Sequence, residues 1–482
     1  MPVFSLCSDY GIGAFSDEAY KFVDWLGKSG FKYWQTLPLG PTGFGDSPYQ
    51  SFSAFAGNPY FISLDKLVSD GLLRKNDVTS LDFGDNVNHI DYGKLYNNRY
   101  PLLRMAYNNW SSDEKYYEFE RDNSFWLDDY AVFMAIKNKI NSSLWIKWDE
   151  KYKFKKFYCD DMLKEEINFQ KFVQYLFFSQ WYELKKYANK LGIKIIGDIP
   201  IYVSLDSSDA WSLPELFQFD KDLNPTFVAG CPPDGFSKKG QLWGNPLYNW
   251  NYHKNSSYEW WRKRFKHSLN MYDGIRIDHF RGFQEYYSIP YGSIDACNGE
   301  WKKGPSYDLF DSVKNLFENK TVIAEDLGFI TDSVRTLLSK TGFMSTKVIE
   351  FAFDKRDNDK DNVHMPHNYT KNCVVYTSTH DNETLAGWIN NLSDNDLLTA
   401  KKYVHDLHGH KNNLYKSFIS TCMQSCADIC ILPVQDIFGF DNSSRINTPA
   451  TTGNNWTWRI DNNSFTNEMS DEIRDIITIY GR

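Results

Sequence analysis

Tyr272-Asp-Gly-Ile-Arg-Ile-Asp-His-Phe-Arg-Gly-Phe283 is the stretch on which the reading of the chain turns. Ile275 and Ile277 alternate with Arg276 and Asp278, the pattern of a short buried strand. Side chains two apart on a strand share a face, so Arg276 and Asp278 stand side by side. A cation and a carboxylate at the end of a buried strand are costly unless they are paired or used. Two readings suit them: a plain ion pair that holds a loop, or a working pair on the open face of a parallel barrel. Acids recur at the ends of other strand-like runs, which favours the second. Asp198 lies in Gly-Asp-Ile-Pro200, Glu325 in Ala-Glu-Asp-Leu-Gly328, and Asp381 in Thr-His-Asp-Asn382.

Outward from these runs, helical spacing of apolar residues predicts helices over residues 18–27, 166–191 and 258–269. Further strands are expected over residues 31–37, 58–62, 347–353 and 431–437. Strands alternating with helices, about eight in all, predict an α/β chain folded as a (β/α)8 barrel. The whole of residues 1–482 would form one catalytic unit. Residues 63–165 read as a helical insertion, and residues 204–257 as a loop-rich insertion walling the open face. The stretch 211–250 has little regular pattern but too many aromatic residues for disorder, so it should be packed. Gln241 and Trp243 are its candidate ligand contacts. Residues 38–51 are dense in Gly and Pro, which cannot continue a helix or a central strand. That run should be a shaped loop presenting Asp46, Ser47 and Tyr49.

Composition narrows the function classes. The net charge of −9 argues against a nucleic-acid footprint, and no polybasic run suggests a membrane surface. No stretch has the length needed to span a bilayer, and the first residues lack the charge and apolar core of a secretory signal. The 8 cysteines are scattered, as in a cytoplasmic protein with reduced thiols. Cys422, Cys426 and Cys430 fall four apart and would share one helical face, better read as an apolar stripe than a metal site. Aromatic residues make up 17% of the chain, a mild pointer to flat, uncharged ligands such as sugars.

In a barrel, Asp198, Asp278, Glu325 and Asp381 converge on one face, where carboxylates repel and their pKa values spread apart. One ionised and one protonated acid are what cleavage of a glycosidic bond requires. Arg276 would keep Asp278 ionised as a nucleophile. Glu325, with no cation adjacent in sequence, is the better acid; Asp326 should point to the opposite face. A divalent metal is the rival use of clustered acids, but there is no EF-hand loop or His-rich set, and Arg276 would oppose a cation.

These motifs resemble those of glycoside hydrolase family 77, the 4-alpha-glucanotransferases or amylomaltases of the alpha-amylase clan. The resemblance runs through nearly the whole chain. It includes Trp34-Gln-Thr-Leu-Pro-Leu-Gly-Pro-Thr-Gly-Phe-Gly-Asp-Ser-Pro-Tyr49, the Gly240-to-Trp250 stretch, Arg445-Ile-Asn-Thr-Pro449 and Asn455-Trp-Thr-Trp-Arg459. It implies that Asp278 is the nucleophile, Glu325 the general acid and then base, and Asp381, with His380, the holder of sugar hydroxyls in the transition state. Arg276 would orient Asp278, and Asp198 would support the same subsite. Ser47, Tyr49, Gln241, Trp243 and Asn447 match positions lining the family's glucan groove. No cofactor is implied. The implied partners are maltodextrins, maltose and glucose, with starch or glycogen as larger substrates. Retention of configuration would set Asp278 and Glu325 on the order of 5 Å apart. Gly235, Leu242, Ser378 and Ala450 depart from the family's commonest residues, which bears on loop contacts rather than on the reaction. The same acids could serve an alpha-glucan hydrolase if water reached the intermediate. A non-catalytic glucan-binding protein would have no need for three aligned acids.

Overall fold

The computed structural model describes residues 1–43, 45–140, 144–155, 161–233, 237–353 and 362–482. In chain order the strands are β1 (Tyr33–Gln35), β2 (Lys194–Ile199), β3 (Phe227–Cys231), β4 (Gln241–Pro246), β5 (Gly274–Ile277), β6 (Glu285–Pro290), β7 (Glu300–Lys303), β8 (Thr321–Ala324), β9 (Met344–Val348), β10 (Cys373–Tyr376) and β11 (Ile429–Ile431). Seven of them form a parallel sheet in the order β1-β2-β5-β8-β9-β10-β11. That sheet is the nearly closed barrel of a (β/α)8 fold. Every residue of β5 and β10 is buried, as expected of parallel strands covered on both faces. Across the interior, the Tyr376 hydroxyl donates to Gln35 Oε1 at 2.9 Å, linking β10 to β1. Gly197 on β2 is required by packing: a Cβ there would lie 2.2 Å from the Tyr272 ring.

The predicted helices form as Asp17–Ser29, Lys164–Lys190 and Glu259–Met271. The first stops at Gly30 in the left-handed conformation, with a φ of 86°. Between β1 and β2 the chain is mainly helical, and helix Glu114–Lys139 packs along Lys164–Lys190. Leu95, Leu102 and Phe133 from this region share one apolar core with Ile275 and Ile277 of the barrel.

Several expectations are corrected. Residues 58–62 are not a strand but a 3₁₀ turn, Pro59–Phe61. Pro59 has no N–H to give a ladder, and the Asn58 side chain caps the turn by accepting from Tyr60 N. The count of barrel strands among the described residues is therefore seven rather than eight. The run at 347–353 is strand only to Val348, after which Ile349–Phe353 turns as a 3₁₀ helix. The run at 431–437 is shifted: β11 ends at Ile431, and Pro433 precedes the helix Val434–Ile437. The patternless stretch 211–250 contains β3 and β4, which join β6 and β7 in an antiparallel sheet of order β4-β3-β6-β7. The cysteine stripe also fails. Helix Leu414–Gln424 ends before Cys426, and Cys430 lies on β11, so the three share no helical face.

Candidate active site

Strand register builds the site. β2 and β5 pair with Asp198 level with Arg276, and β5 and β8 pair with Ile277 level with Ala324. The next residue on each of the latter strands is Asp278 and Glu325. The ladder extends to them: Asp278 N donates to Ile199 O and Glu325 N to Ile277 O, both at 3.0 Å. Asp326 points away, as expected, with its Oδ1 accepting from Thr346 N at 2.7 Å.

Arg276 is the hub. Its Nη1 lies 2.6 Å from Asp198 Oδ2 and 3.1 Å from Asp278 Oδ1, and its Nη2 lies 3.6 Å from Glu325 Oε2. Tyr49 donates its hydroxyl to Asp198 Oδ2 at 2.9 Å. After Asp278 the chain turns through His279 in the left-handed region, φ 46°, at a cost of about 1 kcal/mol. That turn aims the His279 N–H at Glu325 Oε2, 2.6 Å away.

Electrostatics follow from one buried cation facing three carboxyls, of which Asp198 is buried and Asp278 and Glu325 open partly to the cleft. Burial opposes the charge on Arg276, yet Asp198, Tyr49, Asp278 and Glu325 hold its pKa well above the ordinary range. Burial is the main cause that pushes Glu325 up to about 7, against the opposing pull of Arg276 and of the His279 N–H. Burial likewise drives Asp278 well above the usual carboxylate range, with Arg276 pulling it down and Glu325 raising it. Two sequence expectations change. Glu325 does have a cation beside it, and the pull of Arg276 on Asp278 is opposed by burial, while its shortest contact goes to Asp198. Asp278 and Glu325 repel each other beside the same guanidinium, so their titrations belong to the pair rather than to either carboxyl alone.

The fourth acid stands at the rim. Asp381 is half exposed; its Oδ1 accepts from Asn447 Nδ2 at 2.7 Å, and its backbone oxygen accepts from Arg445 Nη2 at 2.7 Å. His380 stacks on Tyr49, ring centroids 5.1 Å apart at 18°. Trp456, a residue that sequence reasoning left without a role, lies 5.8 Å from the Tyr49 ring and 5.9 Å from the His380 ring. Rim and floor are thus joined through Tyr49.

Gln241 and Trp243 sit on β4, with Trp243 Nε1 donating to Gln241 Oε1 at 3.0 Å. The Trp243 ring meets His279 edge-on at 4.9 Å, which brings the antiparallel sheet to the acids. Gln50, also missed, ties the loop of residues 38–51 to β4 by donating to Asn245 Oδ1 at 3.0 Å. Ser47 acts within its own loop, its Oγ accepting from Tyr49 N. Burial pushes the Asp46 carboxyl up to about 6. Of the departures from the family pattern, Leu242 is exposed on β4, Ser378 is buried and donates to Asp436 Oδ2, and Ala450 takes a φ of 61°. Gly235 lies outside the described residues.

A parallel barrel with three carboxyls against one arginine at neighbouring strand ends, and a fourth acid on the rim, is the frame of an enzyme that works on glycosidic bonds. The chain belongs to glycoside hydrolase family 77, 4-alpha-glucanotransferase, whose profile matches residues 1–464. It is 48% identical over 491 residues to the 4-alpha-glucanotransferase of Clostridium butyricum, with 100% of each chain covered. To that of Aquifex aeolicus it is 41% identical over 490 residues, covering 100% of this chain and 98% of the other. Among solved structures, the amylomaltase from Streptococcus agalactiae in complex with acarbose superposes with a TM-score of 0.96 at 40% identity. That match covers 100% of this chain and 98% of the other. Among the described residues, no helix is long and apolar enough to cross a membrane.

Proposed function

We propose that this chain moves segments of 1,4-alpha-glucan from a donor maltodextrin to an acceptor maltodextrin or glucose by a retaining double displacement. The observation that carries the reading is the contact of one guanidinium with both Asp278 and Glu325. In the first step Asp278 attacks the anomeric carbon and Glu325 protonates the leaving oxygen. Positive charge developing at that carbon favours the anion on Asp278, so the proton of the pair goes to Glu325. In the second step Glu325 takes the proton of an incoming sugar hydroxyl, which attacks the glucosyl–Asp278 ester and restores the alpha configuration. Asp381 and His380 hold hydroxyls of the donor sugar, Asp198 and Arg276 fix the floor, and Tyr49 joins the two. Ser47, Gln241, Trp243 and Asn447 shape the groove. Residues 63–165 and 204–257 act as insertions that wall it. Scattered cysteines support a cytoplasmic site of action on maltodextrins, starch or glycogen.

Pure protein incubated with maltotriose tests the reaction. Free glucose with a ladder of longer maltodextrins is expected. Reducing ends rising in step with substrate loss would mean that water, not sugar, captures the intermediate, and would replace transfer by hydrolysis.

A further inference from the structure

Phe329 follows Glu325 in the loop after β8, and it is 75% exposed. Gly328, with a φ of 80° that only glycine adopts without strain, makes the turn that throws it outward. The loop is nonetheless held. Arg281 Nη1 donates to the Phe329 backbone oxygen at 2.5 Å. Arg281 is 4% exposed, and its guanidinium lies 3.8 Å from the centroid of the Trp301 ring on β7. Burying a cation is costly unless its N–H groups and its face are used. Here it fixes Phe329 on one side and Trp301, itself partly exposed, on the other.

Position gives this pair a meaning. Arg281 sits in the turn just after Asp278, and the acid Glu325 begins the loop that carries Phe329. A general acid stands beside the leaving oxygen, so the sugars beyond the cleaved bond lie on its side of the cleft. Resting on the transferase reading above, we infer that Phe329 and Trp301 form an outer acceptor subsite, stacking on a glucose ring of an incoming 1,4-alpha-glucan beyond the one Glu325 activates. The C–H face of a sugar is apolar and carries no net charge, which suits an aromatic face anchored in place.

The test uses a donor maltodextrin blocked at its non-reducing end, so that only the added acceptor accepts, with glucose and maltotriose compared as acceptors. Glucose fills only the position nearest Glu325, whereas maltotriose reaches further out. For Phe329→Ala the maltotriose KM should rise roughly ten-fold with kcat unchanged. The glucose KM should stay within about two-fold of wild type. Trp301→Ala should act in the same direction, and Phe329→Trp should restore the maltotriose KM. An unmoved maltotriose KM, or an equal rise for both acceptors, would overturn the subsite while leaving the transferase reading intact. Wild-type protein that only hydrolyses the donor would overturn that reading and the subsite with it.

Discussion

The floor and the rim of the cleft hold their acids in opposite ways. On the floor, Asp198, Asp278 and Glu325 crowd one buried guanidinium at the ends of three neighbouring strands. On the rim, Asp381 is half exposed and is held by Asn447 and Arg445, which lie on an irregular segment. Desolvated charges cost several kcal/mol each unless compensated, so removing a floor partner should damage both fold and chemistry. Hydrated rim groups can exchange a protein partner for water, so a change there should damage chemistry alone. Rigid strands make the proton pair; loops shape what meets it.

The largest effect expected is on turnover. Asp278→Asn keeps the shape of the floor but removes the proposed nucleophile, and kcat should fall by roughly 10⁴-fold or more. Steady-state disproportionation of maltotriose measures it, and circular dichroism checks that the fold is kept. Wild-type turnover would place the nucleophile elsewhere. Next, Arg276→Gln strips the floor of its cation and should cost about 3–5 kcal/mol in urea unfolding at neutral pH. The cost should shrink in acid, where protonation relieves the repulsion among the three carboxyls. A loss that did not depend on pH would show the guanidinium to be packing rather than neutralising.

Glu325 gives the floor a pH signature. Its carboxyl is raised from an ordinary 4.5 to about 7, so the folded protein binds this proton more readily than the unfolded chain does. The stabilisation from proton uptake is therefore largest below about 4.5, declines as pH rises to about 7, and is gone above that. Glu325→Gln should flatten this slope in unfolding measured across the interval. In the wild type, kcat/KM should lose its protonated acid on the same titration, dropping about ten-fold per unit on the alkaline side. An alkaline limb far above neutrality would assign the limiting proton to the Asp278–Glu325 pair differently.

The floor was more legible in the sequence than the rim or the wall, and the reason is physical. Arg276 and Asp278 share a face because strand geometry is local, and alternation with Ile275 and Ile277 announces it. Glu325 and Asp381 were visible as polar residues closing apolar runs. What the sequence hid was tertiary. Nothing local says that Arg276 spends its shortest contact on Asp198, or that Trp456 packs near Tyr49 and His380. The antiparallel sheet was missed because β4, Gln-Leu-Trp-Gly-Asn-Pro, carries Gly and Pro where strands usually do not. The turn at Pro59–Phe61 was read as a strand because an apolar run of that length suits either, and only the Asn58 cap decides.

The smallest expected effect would test the contrast most sharply, at Asn447. Its Nδ2 donates to Asp381 Oδ1, and its backbone N–H donates to His380 O at 3.1 Å, so only the first bond depends on the side chain. In Asn447→Ala, water can take the vacated place on an already hydrated carboxylate, and stability should stay within about 0.5 kcal/mol of wild type. The backbone bond that seats His380 survives. Asp381, however, loses a fixed donor and samples more orientations, so in its proposed role fewer encounters find it aligned with the sugar hydroxyls. Turnover should fall by about ten-fold, with KM for maltotriose changing less than kcat. A stability loss approaching that of Arg276→Gln would mean that the rim, too, is built on compensated burial, and the distinction between the two halves of the cleft would collapse.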